Sequence, residues 1–356
     1  MKKSILYLLI VLFALPFATE AKVWRVNNNA GVSTDFIDLD DAMNGYDAGD
    51  TLHLEPSATV YHWSNNLSNF VGKFVTIIGN GYLHFAGDGL QQDIRESKII
   101  SSGSIYVNSK IKFIGIVFVN PVVLVKREGP IQVGDVYFES CFLTNGIEYS
   151  DATNFGSNQI NGLHLSKNYI PGNIYITLPA DPGNFLYNFS FENNIMLGSF
   201  AISPVPLNHD PIVIRNNVFA GNYECNQAYC ANNIFIANIS TGFNGSILKN
   251  NIFTGPAFTT NANTEVNNQF NVDISTVLNL NPAFFDRAYD IKVGSVAVGA
   301  GIPNGATPVD CGAYGGPNPY KPNGMPAIPS ISELSVPPSV INGTDMNIGV
   351  KSKSNN

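Results

Sequence analysis

The sequence predicts an all-β protein coiled as a parallel β-helix. Three observations carry this reading: a six-residue phrase recurs about every 16 to 27 residues, its sixth position is always apolar, and no helical periodicity runs between copies. The clear copies read Phe191-Glu-Asn-Asn-Ile-Met, Ile214-Arg-Asn-Asn-Val-Phe, Cys230-Ala-Asn-Asn-Ile-Phe and Leu248-Lys-Asn-Asn-Ile-Phe, with a degraded Glu265-Val-Asn-Asn-Gln-Phe. Weaker copies start at Phe113, Phe138 and Leu165. The units are rich in Val, Ile, Phe, Tyr and Asn and are broken by Gly, Pro and Asp, as short strands with turns require. The shortest intervals cannot hold the four strands of a propeller blade, but they can hold one coil of two or three short strands.

Each position of the phrase has a physical reading. The sixth residues, Phe118, Leu143, Ile170, Met196, Phe219, Phe235, Phe253 and Phe270, form a continuous inward column. The recurring Asn marks the bend between strands, because Asn tolerates the left-handed conformation. Stacked amides can also bond coil to coil. The second residues, Ile114, Glu139, Ser166, Glu192, Arg215, Ala231, Lys249 and Val266, form an outward column.

Before the coils comes an address. Lys2 and Lys3, an apolar run from Ile5 to about Phe17, and Ala18-Thr-Glu-Ala21 make a secretory signal, residues 1–21. A retained N-terminal anchor is the competing reading. Export implies a periplasmic, cell-surface or extracellular location and an oxidising setting. Cys225 and Cys230 bracket Asn-Gln-Ala-Tyr, close enough for a loop disulfide, with two free, partly buried thiols as the alternative. Residues 34–45 follow as a cap for the open start of the stack: Phe36, Ile37, Leu39 and Met43 offer an apolar face, and Asp35 and Asp38 suit a helix N-terminus. Asp35, Asp38, Asp40 and Asp41 could instead hold calcium, although they lack the spacing of an EF-hand. The coils run over 22–320. From 321 to 356 a Pro-rich spacer leads into strand-like text.

The sequence resembles secreted right-handed parallel β-helix proteins of the pectin-lyase-like superfamily, particularly those of Gram-negative bacteria. The resemblance rests on Ala48-Gly-Asp-Thr-Leu-His-Leu-Glu-Pro-Ser57, Val75-Thr-Ile-Ile-Gly-Asn-Gly-Tyr82, Ala297-Val-Gly-Ala-Gly301 and Asp310-Cys-Gly-Ala-Tyr-Gly-Gly-Pro317. It implies a single-stranded right-handed coil and puts polysaccharide lyases and hydrolases in view. A lyase needs a base, often Lys or Arg, with a cation or calcium on the substrate carboxylate. A hydrolase needs two carboxyls about 5–5.5 or 6.5–9.5 Å apart.

Composition narrows the classes further. The chain has 356 residues, 44% hydrophobic and 13% charged, with 32 Gly, 21 Pro and 4 Cys. So few charges exclude a disordered polyelectrolyte and a coiled coil. The net charge is −8, and loss of the signal takes it to −9, which disfavours nucleic acid and also anionic glycans unless calcium bridges them. No nucleophile elbow, zinc motif or P-loop is present. The catalytic candidates are Lys126, Arg127, Glu192 and Arg215. The binding candidates are Tyr61, Trp63, Glu139 and Lys249, with Tyr223 and Tyr229 as further rings beside the cysteines. His164 and His209 could transfer protons. Two functions remain open: binding or processing of a polysaccharide along one face, and a non-catalytic surface, adhesion or structural module.

Overall fold

The computed structural model describes residues 21–64, 73–83, 93–124, 133–150, 159–178, 185–203, 205, 208–237, 239, 242–258, 262–339 and 345–353. Residues 1–20 of the expected export signal, and Lys126 and Arg127, lie outside them.

The recurring phrase is the bend between two sheets. Its first two residues end a strand of a long sheet, as Phe191 and Glu192 end Phe185–Glu192. Its last two residues form a strand of a second sheet, as in Ile195–Met196. The third residue sits in the left-handed region at Ser140, Lys167, Asn193, Asn216, Asn232, Asn250 and Asn267, with φ between 53° and 58°. The two asparagines therefore divide the labour. The first makes the corner, where Asn tolerates φ > 0. The second turns its amide into the stack, and Asn168, Asn194, Asn217, Asn233 and Asn251 are all fully buried.

Stacking these coils gives a parallel β-helix. Among the described residues the long sheet has twelve strands, eleven of them in one path from Val23–Val26 to Thr264–Val266. The second sheet has nine strands, from Tyr61–His62 to Ile252–Phe253. The third has six, from Ile105–Val107 to Tyr223–Cys225. All pairings within the three sheets are parallel and follow the phrase: Phe138, Leu165, Phe191, Ile214, Cys230 and Leu248 are successive partners. Each step between coils is about 4.8 Å. The sixth-position rings stack at that spacing: Phe219–Phe235 at 5.0 Å, Phe235–Phe253 at 4.8 Å and Phe253–Phe270 at 5.1 Å, all within 8° of coplanar.

The start of the stack is capped by a helix, Leu39–Gly45. Asp38 caps it by accepting from Asp40 N at 2.7 Å, and Leu39, Ala42 and Met43 are buried. Ile37 does not join that face; it is 68% exposed, while Phe36 packs on Trp24. Three of the four acids have structural partners, Asp38 as the helix cap. Asp35 accepts from Arg25 N and Asp40 from Ser64 N.

The last long-sheet strand is Thr264–Val266. The chain then returns along the outside of the second sheet. Val277, Leu278, Ala297, Cys311, Ala313 and Tyr320 pack there on the fifth-position residues Val117, Tyr169, Ile195, Val218, Ile234 and Ile252. The first asparagines of the phrase hold this strap. Asn193 Nδ2 donates to Ala313 O and Gly315 O, Asn216 Nδ2 to Asp310 O and Asn250 Nδ2 to Ala300 O, while Asn232 Oδ1 accepts from Ile302 N. Beyond the strap, Ser330–Ser335 and Gly349–Lys353 form a two-stranded antiparallel ribbon.

Candidate functional site

With the second sheet covered by the strap, two outer faces remain open to solvent. The outward column of the long sheet is in the register read from the phrase: Ile114, Glu139, Ser166, Glu192, Arg215, Ala231, Lys249 and Val266 are successive partners. A second outward column lies beside it, made of Lys112, Tyr137, His164, Ser190, Val213 and Tyr229. Together they form a polar strip along the stack.

Charges on the strip are paired. Glu139 lies between Lys112 Nζ at 2.7 Å and Lys167 Nζ at 3.4 Å. Burial pushes the Glu139 carboxyl up, but the two ammonium groups prevail and hold it below the usual carboxylate range. Arg215 meets Glu192 at 3.0 Å, an exposed pair worth roughly 0–1 kcal/mol. Lys249 Nζ lies 5.8 Å from the Tyr229 ring centroid, within cation–π range. Glu139 and Glu192 are two coils apart, about 10 Å along the stack. That is just beyond the spacing of an inverting hydrolase, and a carboxyl held low is a poor general acid.

His164 sits mid-strip. Its ring stacks on Tyr137 at 4.7 Å and 13°, and its Nδ1 hydrogen-bonds Ser190 Oγ at 2.8 Å. Burial lowers its pKa against the pull of Glu192 and Asp135, which favours the neutral imidazole. His209 lies away from these columns, bonded to Gln227 Oε1 at 2.9 Å and to Asp210 O at 2.8 Å.

Three candidate rings are corrected by the structure. Tyr61 and Trp63 are 1% and 4% exposed, so neither can stack on a sugar. The strand Tyr61–His62 opens the second sheet and turns Tyr61 inward, where its hydroxyl donates to Val26 O and Glu55 O; Trp63 Nε1 donates to Tyr106 O. Tyr223 is buried as well. Its hydroxyl touches Cys230 Sγ at 3.1 Å.

Cys225 and Cys230 are free, as are Cys141 and Cys311, and all four are buried. Cys225 and Cys230 face the core from strands of different sheets, where a thiol packs as a small apolar group. Burial pushes the Cys230 thiol up to about 12 and raises the Cys225 thiol well above its usual value. The expected result is that iodoacetamide spares all four thiols in the folded chain, and that a thiol titration in denaturant counts four. A count of two would establish a disulfide.

A second polar cluster, which no sequence pattern marks, lies under the strap. Asp286, fully buried, accepts from Tyr320 Oη at 2.9 Å, Asn323 N at 2.8 Å and Arg287 N at 2.9 Å, and Tyr320 Oη bonds Tyr82 Oη at 2.7 Å. Asn323 Nδ2 donates to Leu83 O, and Tyr82 N to Asn323 O. Gly324, at φ 54°, passes where a Cβ would lie 2.1 Å from the Tyr82 ring. The cluster ties the end of the strap to the early coils.

Among the described residues no group of three or more His, Cys, Asp or Glu is placed to hold a metal ion, and no helix is long and apolar enough to cross a membrane. No protein-family model and no curated protein sequence matches this chain.

Proposed function

We propose that this is an exported, surface-exposed β-helix of the pectin-lyase-like kind that binds an extended polysaccharide along the outer face of its long sheet. The observation that supports this reading is the strip from Glu139 to Lys249, interrupted at the buried Ala231, with its parallel column from Lys112 to Tyr229. From Glu139 to Lys249 it runs five coil steps, about 24 Å, and presents carboxylates, ammonium groups, a guanidinium, hydroxyls and an imidazole in one line. A linear glycan needs such a row of donors and acceptors. Binding without cleavage fits better than processing. Glu139 is held as an anion by two lysines, and Glu192 already has Arg215 as partner.

The test uses mature chain from Lys22 in affinity electrophoresis against neutral and acidic polysaccharides, with and without calcium. Product absorbance and reducing ends are followed in parallel. Retention by at least one polysaccharide is expected. It should weaken about tenfold in Arg215→Ala combined with Glu139→Ala, with no new products. Retention by none, or retention that this double variant leaves unchanged, would overturn the reading. Unsaturated products would convert it into a lyase.

A further inference from the structure

The first strand of the long sheet, Val23–Val26, starts beside a buried carboxylate. Asp50 is 3% exposed and accepts three N–H groups: Lys22 N on Oδ1 at 2.8 Å, and Trp24 Nε1 at 2.8 Å and Asp47 N at 2.9 Å on Oδ2. All three donors are neutral in the full-length chain. Among the described residues no Lys, Arg or His side chain lies within ion-pair distance of Asp50. The Lys22 side chain is turned onto the Trp24 ring instead, with Nζ 3.1 Å from its centroid. Burial pushes the Asp50 carboxyl up, but the hydrogen bonds prevail and hold it below the usual carboxylate range. An ionised carboxylate buried among neutral donors is costly unless a cation joins them.

The expected export signal ends at Ala21, so its removal would make Lys22 the first residue of the mature chain. A signal peptidase adds water across the Ala21–Lys22 amide. The hydroxyl goes to the Ala21 carbonyl carbon and the hydrogen to the Lys22 nitrogen. The acid proton of Ala21 then moves to that amine, which leaves a carboxylate and an α-ammonium. The nitrogen concerned is the one already 2.8 Å from Asp50 Oδ1. Thr51 N donates to Lys22 O at 2.8 Å, which keeps the new terminus in the sheet. Ala21 and Lys22 are both exposed, so the leader departs without uncovering the core. A cation thus replaces a neutral donor at the same place, and a charge-assisted hydrogen bond is roughly twice as strong as a neutral one.

We propose that Asp50 is the receptor for the processed N-terminus: cleavage after Ala21 sets the Lys22 α-ammonium against this carboxylate and locks Val23–Val26 onto Thr51–Leu54. The proposal rests on the export reading and is independent of any ligand. The full chain is exported from a Gram-negative host and its first residue is read by mass spectrometry; Lys22 is expected. Chain beginning at Lys22, and the same chain with one Gly added before Lys22, are then unfolded in urea, each with and without Asp50→Asn. The added Gly turns the ammonium back into an amide. It should raise the unfolding equilibrium constant about tenfold, and less than about twofold in Asp50→Asn. Pairing raises the folded-state pKa of the α-amine above its unfolded value of about 7.7–8.0. The Gly effect is therefore complete below that value and is lost as pH rises through the folded one, a readout that holds even where Asp50→Asn fails to fold. The other charges nearby, Asp47 paired with Lys73 at 3.2 Å and the Lys22 side chain on Trp24, are common to both chains. Cleavage at another bond would overturn the lock and leave export standing, and an uncleaved chain would overturn both. A Gly effect equal with and without Asp50→Asn, or constant from about pH 6 to 10, would overturn the lock as well.

Discussion

Asn217→Ala is expected to destabilise the protein by about 3–5 kcal/mol, read as a fall in the urea midpoint with little change in slope. The reason is the amide's place in a buried ladder. Its Nδ2 donates to Phe191 O at 2.8 Å and to Asn233 Oδ1 at 2.9 Å, and its Oδ1 accepts from Asn194 N at 2.8 Å. Alanine orphans Asn194 N and Phe191 O in a fully buried setting, at about 1–3 kcal/mol each, and leaves a void. Asn217→Asp should be worse at neutral pH. Its second oxygen would face Phe191 O and Asn233 Oδ1 where a donor is needed, in a site that disfavours charge. Both effects raise the folded-state pKa. The variant is then most stable below the unfolded carboxyl value of about 3.9, where the protonated group can donate, and it loses that stability as pH rises through the folded value. The neighbouring Asn216 makes the contrast. It holds the left-handed corner at φ 55° and lends one amide bond to the strap. Asn216→Gly keeps the corner and should cost under about 1 kcal/mol. Equal losses at 216 and 217 would contradict the division of labour between the paired asparagines.

Asp286→Ala is the second large effect. Three donors, Tyr320 Oη, Asn323 N and Arg287 N, lose their acceptor, and the Tyr320–Tyr82 bond loses its anchor. A loss of about 2–5 kcal/mol is expected, because buried donors are left unsatisfied. It should come with new protease sites in 272–325 and with dye binding to the uncovered apolar face of the second sheet. Asp286→Asn keeps one acceptor and removes the titration. Burial raises the Asp286 pKa above 3.8 despite its donors. Wild type is therefore favoured most below the unfolded value and loses that advantage as pH rises through the folded one. Relative to Asp286→Asn, wild type should gain stability on acidification. A gap between the two that is constant with pH would mean that Asp286 does not titrate in this window.

Much of the coil was legible because each coil repeats one local problem, a strand end, a corner and a new strand. The second position could be placed on the outside, and the order Glu139, Ser166, Glu192, Arg215, Ala231, Lys249 is the order in the sheet. Less visible was that the fifth position, Val117, Tyr169, Ile195, Val218, Ile234 and Ile252, is also apolar, which marks a sheet covered on both faces. That pattern is the sequence signal for the strap. Tyr61 and Trp63 look like loop aromatics until the pairing of Tyr61 with Ile99 makes them part of a coil. Asp286 lies in no repeat, and apart from the adjacent Arg287 its partners Tyr320 and Asn323 are 34 and 37 residues away, so no local pattern marks it. The outward column of the third sheet, Val123, Glu148, Tyr175, Ala201 and Glu224, keeps a fixed offset from the sixth position of the phrase, so its register too was legible in the sequence.

The most direct test of binding along an open solenoid face is hydrogen–deuterium exchange on the mature chain, with and without the polysaccharide that retains it best. With a ligand of the long sheet, new protection should fall in 133–139, 159–166, 185–192 and 212–215 and leave the strap at 272–325 unchanged. Protection confined to the strap, or to the coil end at Thr264–Val266, would contradict the account.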